Sequence, residues 1–212
     1  SKVHKQYLII QDRPVLYYSL KAFEDSAVDE IVLVVGKGEE EFCRKEIVDK
    51  YGISKVKAIV EGGKERYHSV FEGLKQTSDA DYVLIHDGAR PFVNQDIIRR
   101  CMQEVQKYQA CVVGMPVKDT IKIADEEGYA KQTPDRKNVW MIQTPQTFSY
   151  ALIYEAYGEM LKTEDTAITD DAMVLERIKG KQSKLIEGSY RNIKITTPED
   201  LLIANVYLQH PE

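Results

Sequence analysis

Short β-branched runs alternate with amphipathic segments through the first half of the chain. Leu16, Tyr17, Leu20 and Phe23 recur at helical spacing behind Pro14, which sits like a first-turn proline. Glu30–Val35 is apolar with little alternation, the pattern of a strand buried on both faces. Phe42, Cys43, Ile47 and Tyr51 mark a helix that Gly52 stops. Val56–Val60 reads as a strand and 65–76 as a helix with Val70, Phe71 and Leu74 inward. Tyr82–His86 is a strand, 95–108 a helix and Ala110–Gly114 another strand. This alternation predicts an α/β domain, mainly a parallel sheet with helices on both faces.

The pattern changes after Pro116. Thr120–Ala124 alternates, Asp125–Gly128 is a turn, and a polar stretch leads to Asn138–Ile142. Two alternating runs about a polar turn predict a β-hairpin, which is marginal in water unless it packs on something. Helices are expected at 149–161 and 168–179, and strands near 184–187 and 192–196. A last helix starts at Thr197, where Thr-Pro-Glu-Asp combines capping-box spacing with an early proline. No repeat, linker or low-complexity tract interrupts the 212 residues, which make one domain.

Composition narrows the function classes. With 29 Lys and Arg against 34 Asp and Glu, net −5, bulk positive charge does not hold a nucleic acid. An anionic substrate therefore needs a local cluster of basic side chains. No apolar run approaches the roughly 18 residues of a membrane span, and the first residues lack the apolar stretch of a signal peptide. Cys43, Cys101 and Cys111 are far apart and read as buried free thiols, so a cytoplasmic setting is expected.

The sharpest chemical signal is His86-Asp-Gly-Ala-Arg-Pro-Phe92. Ligands of open α/β sheets bind at the carboxyl ends of strands, where Asp87 lies, and a carboxylate there suits Mg²⁺ carried by substrate phosphates. Read alone, Asp87 is better taken as a turn cap, with Arg90 in a surface ion pair. Gly62 and Gly63 form a second loop after a strand, permitting backbone approach to a ligand at a helix start. That loop is no Walker loop, because no Gly-Lys-Ser/Thr follows, and by itself it reads as a plain turn. Thr169–Ala172 reads as a helix cap, and Lys5 and Lys194 singly read as solvated charges. No histidine has a Ser or Cys partner at a recognisable spacing, which leaves a hydrolase triad unsupported.

Taken together, these segments resemble the 2-C-methyl-D-erythritol 4-phosphate cytidylyltransferases of non-mevalonate isoprenoid synthesis. The matching stretches are Lys5–Leu8, Gly62–Ser69, His86–Pro91, Pro116–Thr120, Gln143–Phe148, Ile168–Ala172 and Asn192–Leu201, in family order along the chain. The resemblance implies a Rossmann-like nucleotidyltransferase fold with a projecting β-arm at about 117–142. It also implies CTP and a sugar-alcohol phosphate as substrates, Mg²⁺ as cofactor, and a homodimer formed through the arm. In-line attack of the sugar phosphate on the CTP α-phosphate would expel pyrophosphate. The second pKa of a phosphate monoester is about 6, so no general base is required.

By the same resemblance, Lys5 and Lys194 stabilise the crowded phosphates and Asp87 holds the metal beside the nucleotide. Gly62, Gly63 and Ser69 read cytosine. Arg90, Thr120, Arg136, Thr144, Thr169 and Thr196 position the second substrate, with Thr120 and Arg136 reaching the neighbouring subunit. The alternatives are ribitol-5-phosphate cytidylyltransferase, or a non-catalytic nucleotide-binding remnant. Two departures stand out. The family opens with a strand and a glycine-rich loop ahead of Lys5, whereas this sequence begins at Ser1, so upstream residues are expected. Arg191 also occupies a position where relatives often carry an acid.

Overall fold

The computed structural model describes residues 4–163 and 168–210; Ser1–Val3, where the loop's tail was expected, lie outside them. After a 3-10 turn at Lys5–Tyr7, β1 (Ile9–Ile10) and β2 (Arg13–Pro14) make a minimal hairpin. α1 (Val15–Glu24) follows with Leu16, Leu20 and Phe23 inward. β3 (Ile31–Val35) pairs in parallel with β4 (Val56–Glu61), joined through α2 (Glu40–Cys43) and a π-helical turn at Arg44–Asp49. Then come α3 (Arg66–Leu74), β5 (Tyr82–Ile85), α4 (Gln95–Tyr108) and β6 (Ala110–Pro116).

β6 lies at the centre of the fold. Ala110 and Val112 pack toward Phe148, Tyr157 and Leu175 on one face. Cys111 and Val113 pack toward Ile97, Ile98 and Cys101 of α4 on the other. Successive side chains of a strand point to opposite faces, so a run with no polar position places helices on both. Cys43, Cys101 and Cys111 are all buried free thiols, as their apolar settings suggested.

The second half departs from the expected pairing. Ile123–Ala124 (β7) pairs with Ala130–Gln132 (β8), while the Asn138–Ile142 run leads into a ten-residue strand, β9 (Trp140–Ser149). The hairpin closes on its nearest partner because Asp125 Oδ1 accepts from the Glu127 and Tyr129 N–H groups and Gly128 takes φ +89°. β9 runs antiparallel to both β6 and β5, and β10 (Lys184–Glu187) runs parallel to β6, giving the order β10-β6-β9-β5. β5, β6 and β10 thus share one direction and β9 alone opposes them, so the sheet is mixed.

Polar residues hide β9 from the hydrophobic pattern. Gln143, Thr144, Gln146 and Thr147 are all buried, and Pro145 interrupts the run. The strand tolerates Gln143, Thr144 and Gln146 because their partners are internal. Gln143 donates to the Ser189 carbonyl at 2.8 Å, and Gln146 accepts from the Ala172 N–H at 2.9 Å.

α5 (Tyr150–Met160), α6 (Asp171–Lys179) and α7 (Pro198–Gln209) complete the chain, α7 with the anticipated Thr197–Asp200 capping box. The strand expected at 192–196 joins no sheet; Ile195 N–H donates once, to the Ala89 carbonyl at 2.8 Å. Among the described residues β3 and β5 each end their sheets, and both line one cleft of about 1250 Å³. No helix of the described residues is long and apolar enough to cross a membrane.

Candidate active site

Asp87 sits where β5 ends, at the floor of the cleft. Its Oδ2 lies 3.0 Å from Lys194 Nζ and 3.6 Å from Arg90 Nε, and its Oδ1 lies 3.4 Å from Arg66 Nε. Burial alone would raise this carboxyl, but Arg66 first, then Lys194 and Arg90, outweigh it and hold the pKa at about 2. Asp87 is therefore ionised at neutral pH. Both of its oxygens face cations, Oδ1 accepting from Arg66 Nε and Oδ2 pairing with Lys194 and Arg90.

A relay beneath Asp87 orients it. The Asp87 N–H donates to Thr144 Oγ1 at 3.1 Å, which leaves the hydroxyl hydrogen for His86 Nδ1 at 2.9 Å. His86 then carries its proton on Nε2 and donates to the Arg90 carbonyl at 3.1 Å. Burial pushes His86 down to about 4, so the ring is neutral in this role. Thr144, expected at the substrate, is only 4% exposed and is committed to this relay. Thr144→Val is expected to lower unfolding free energy by about 1–3 kcal/mol, the cost of unpaired buried groups. Urea denaturation measures the loss, while KM stays close to wild type. A raised KM with unchanged stability would return Thr144 to the substrate.

Arg90 is likewise turned inward. Its Nη1 donates to the Asn192 carbonyl at 2.8 Å, and Asn192 Nδ2 donates to the Thr144 carbonyl at 2.9 Å. With the Ile195–Ala89 bond, these contacts strap the segment carrying Lys194 onto the loop carrying Asp87. A positioning role fits Arg90 better than the substrate contact expected of it.

Lys194 also lines a smaller depression of about 460 Å³ with His4, Lys5 and Thr196. The structure thus brings Lys5 and Lys194 to one surface, although 189 positions separate them in the sequence. The Thr196 hydroxyl is directed to Asp200 Oδ2 at 2.8 Å, in the cap of α7. Gly62, Gly63 and Ser69 line the main cleft together. Ser69 Oγ accepts from the Gly63 N–H at 3.1 Å, and a Cβ on Gly62 would fall 2.6 Å from that oxygen, so only glycine fits this turn.

Thr120 and Arg136 are not among the residues lining the cleft. Both are exposed, and Arg136 Nη1 donates to the Lys118 carbonyl at 2.8 Å. Thr169 is exposed just before α6. Arg191 donates to the Tyr207 carbonyl at 3.0 Å and stacks over that ring, which ties it to the end of α7.

Arg66 was missed as a site residue, although it lies inside the Gly62–Ser69 stretch. The available signal was its position, since a cation in the first turn of a helix opposes the helix dipole and needs a compensating partner. That partner is Asp171, which binds it through two bonds of 2.8 Å.

No group of three His, Cys, Asp or Glu among the described residues converges as a metal cage. One carboxylate faced by Arg66, Lys194 and Arg90 gathers positive charge at the strand end, where phosphates bind, and leaves Asp87 as the side chain that would meet a cation arriving on them. A floor of this kind, with a glycine turn at a helix start beside it, is built for a nucleoside triphosphate. On a Rossmann-like α/β sheet it defines the nucleotidyltransferase class.

The comparisons specify the class further. The profile of the 2-C-methyl-D-erythritol 4-phosphate cytidylyltransferase family matches residues 1–210. The relative of that name from Lachnospira eligens is 52% identical over 211 residues, 99% of this chain and 92% of its own. The one from Lachnoclostridium phytofermentans is 49% identical over 209 residues, 99% and 90%. The crystal structure of 4-diphosphocytidyl-2C-methyl-D-erythritol synthase from Anaerococcus prevotii matches with a TM-score of 0.89 and 37% identity, covering 98% of this chain and 91% of that one. The Thermus thermophilus cytidylyltransferase matches at 0.81 and 32%, covering 97% and 94%. The chain belongs to the 2-C-methyl-D-erythritol 4-phosphate cytidylyltransferase family.

Proposed function

We propose that the protein transfers the cytidylyl group of CTP to 2-C-methyl-D-erythritol 4-phosphate, giving CDP-methylerythritol and pyrophosphate. The observation that carries this reading is the Lys194–Asp87 pair at the cleft floor beside the Gly62–Gly63 turn. Family membership supplies the substrates. In the transition state charge spreads over the α-phosphate oxygens, and Lys194 and Lys5 neutralise it from the shared depression. Gly62, Gly63 and Ser69 hold cytosine. Thr169, ahead of the α6 N-terminus, faces the sugar phosphate.

Asp87 is the residue that would hold Mg²⁺, which when bound would neutralise phosphate charge and align the attacking and leaving oxygens. The active form is a homodimer. Ile123, Tyr129, Met141 and Ile142 expose apolar surface along 117–142, and an arm of this kind needs a partner face. Three buried thiols suit a reducing compartment, and the cytoplasm is where we place the enzyme.

The deciding assay is side-by-side turnover of methylerythritol 4-phosphate and ribitol 5-phosphate by the natural full-length protein with CTP and Mg²⁺. Product from the first and little from the second is expected. The opposite order would move the protein to the ribitol phosphate activity, and no product from either would leave a nucleotide-binding scaffold.

A further inference from the structure

Glu39 holds the N-cap position of α2, yet its side chain caps nothing there. The carboxylate turns back over the end of β3 instead. Its Oε2 accepts from the Gly36 N–H at 2.9 Å and from the Tyr7 hydroxyl at 2.7 Å, and its Oε1 lies 3.2 Å from His4 Nδ1. A Cβ on Gly36 would fall 2.7 Å from Oε2, so the carboxylate keeps this place only beside a glycine. Cys43 Sγ, one turn further along α2, is 3.1 Å from the Tyr7 oxygen. Because Tyr7 gives its proton to Glu39, the thiol is the donor in that contact. Burial first, then the bonds to Cys43 and Glu39, push the phenol above its ordinary range, so Tyr7 stays protonated and donating near neutral pH.

What this cluster holds is the turn that carries Lys5. Lys5–Tyr7 is a single 3-10 turn, and the exposed Lys5 makes no ion pair among the described residues. The direction of its stem is therefore set by the turn's backbone. That turn touches both parts of the site. Gln6 and Tyr7 line the main cleft with Gly36, Gly62 and Gly63, while Lys5 lines the smaller depression with Lys194. A phenylalanine at position 7 would pack on Phe42 and the neighbouring core as the tyrosine ring does. Apolar contact is non-directional, however, and leaves one short turn free to roll. Two bonds to the hydroxyl fix its rotation.

We propose that Glu39 and Tyr7 are positioning residues that lock the Lys5 turn to the end of β3 and so aim Lys5 at the phosphates it shares with Lys194. This rests on the assignment of Lys5 under the proposed function.

The test is a double-mutant cycle read in kcat, KM and thermal unfolding, on the natural full-length protein with CTP, methylerythritol 4-phosphate and Mg²⁺. Lys5→Ala should lower kcat about a hundredfold. Near-normal kcat there removes Lys5 from the reaction, a failure of that assignment reached without touching Tyr7 or Glu39. Given the loss, Tyr7→Phe is expected to lower kcat about tenfold and to change the KM for CTP by less than about twofold, the pattern of a displaced catalytic group. In the Lys5→Ala background the same substitution should cost nothing further, because its effect passes through the missing ammonium. Glu39→Ala should match Tyr7→Phe, whereas Glu39→Gln keeps an acceptor oxygen and should stay within about threefold of wild type. An unchanged kcat in Tyr7→Phe overturns the proposal. So does a loss equally large with and without Lys5, which would follow the unfolding temperature and mark plain packing, and so do equal losses in Glu39→Gln and Glu39→Ala. If Glu39→Ala does not fold, Tyr7→Phe decides alone, since it removes a single oxygen and keeps the ring.

Discussion

Lys194→Ala is expected to lower kcat by about a hundredfold or more while changing CTP affinity far less. The magnitude is that of removing one electrostatic contact to a developing oxyanion, about 2.7–4 kcal/mol. Lys194 is 42% exposed on the side of the cleft, so its charge is available to a ligand as well as to Asp87. Its position is set by backbone and buried amide contacts, the Ile195–Ala89 bond and the Asn192–Thr144 bond, and not by its own flexible stem. The alanine variant should therefore keep its fold and its nucleotide site. Single-turnover kinetics separate the outcomes: near-normal turnover would reduce Lys194 to a solvated lysine on a loop.

The second large effect is expected in mixed dimers. Arg136 and Thr120 do not line the cleft of their own chain. We expect them to act on substrate in a neighbour's site. Arg136→Ala and Lys194→Ala chains should each be nearly inactive alone. Mixed and allowed to exchange, half of the dimers combine the two lesions, and each of these has one site with neither. Activity should then recover to about a quarter of wild type. Absence of recovery, with subunit exchange demonstrated by mass-tagged chains, places Arg136 in its own chain's site or in none. The Arg136–Lys118 bond does not oppose the trans role, since one guanidinium carries five donors.

Much of the architecture was legible before any coordinates, because two of its signals are local. Apolar spacing located α1 and α3 with their facing residues, and the chain pattern gave the ranges of α4, α5 and α6. Unbroken β-branched runs located β3, β4, β5 and β6, and the capping box placed the start of α7 at Thr197. Asp87 was legible too, as a carboxylate just beyond a strand. What was missed had its cause in burial. Gln143, Thr144, Gln146 and Thr147 were assigned to no strand because residue type alone does not show whether an amide faces water or an internal partner. The direction of β9, and with it the mixed sheet, went unread for the same reason.

The chain's own pattern thus determined which segments are strands and helices, that helices cover both faces of the sheet, and which short stretches carry the chemistry. Periodicity and turn chemistry act over a few residues and are written in the sequence itself. Only the tertiary structure decided what surrounds Asp87. Arg66, Thr144, Asp171 and Lys194 come from separate parts of the chain and meet there within hydrogen-bond and ion-pair distances. Charges so far apart in sequence interact only once folding excludes the water between them. That enclosure is what sets the Thr144 hydroxyl against the His86 ring.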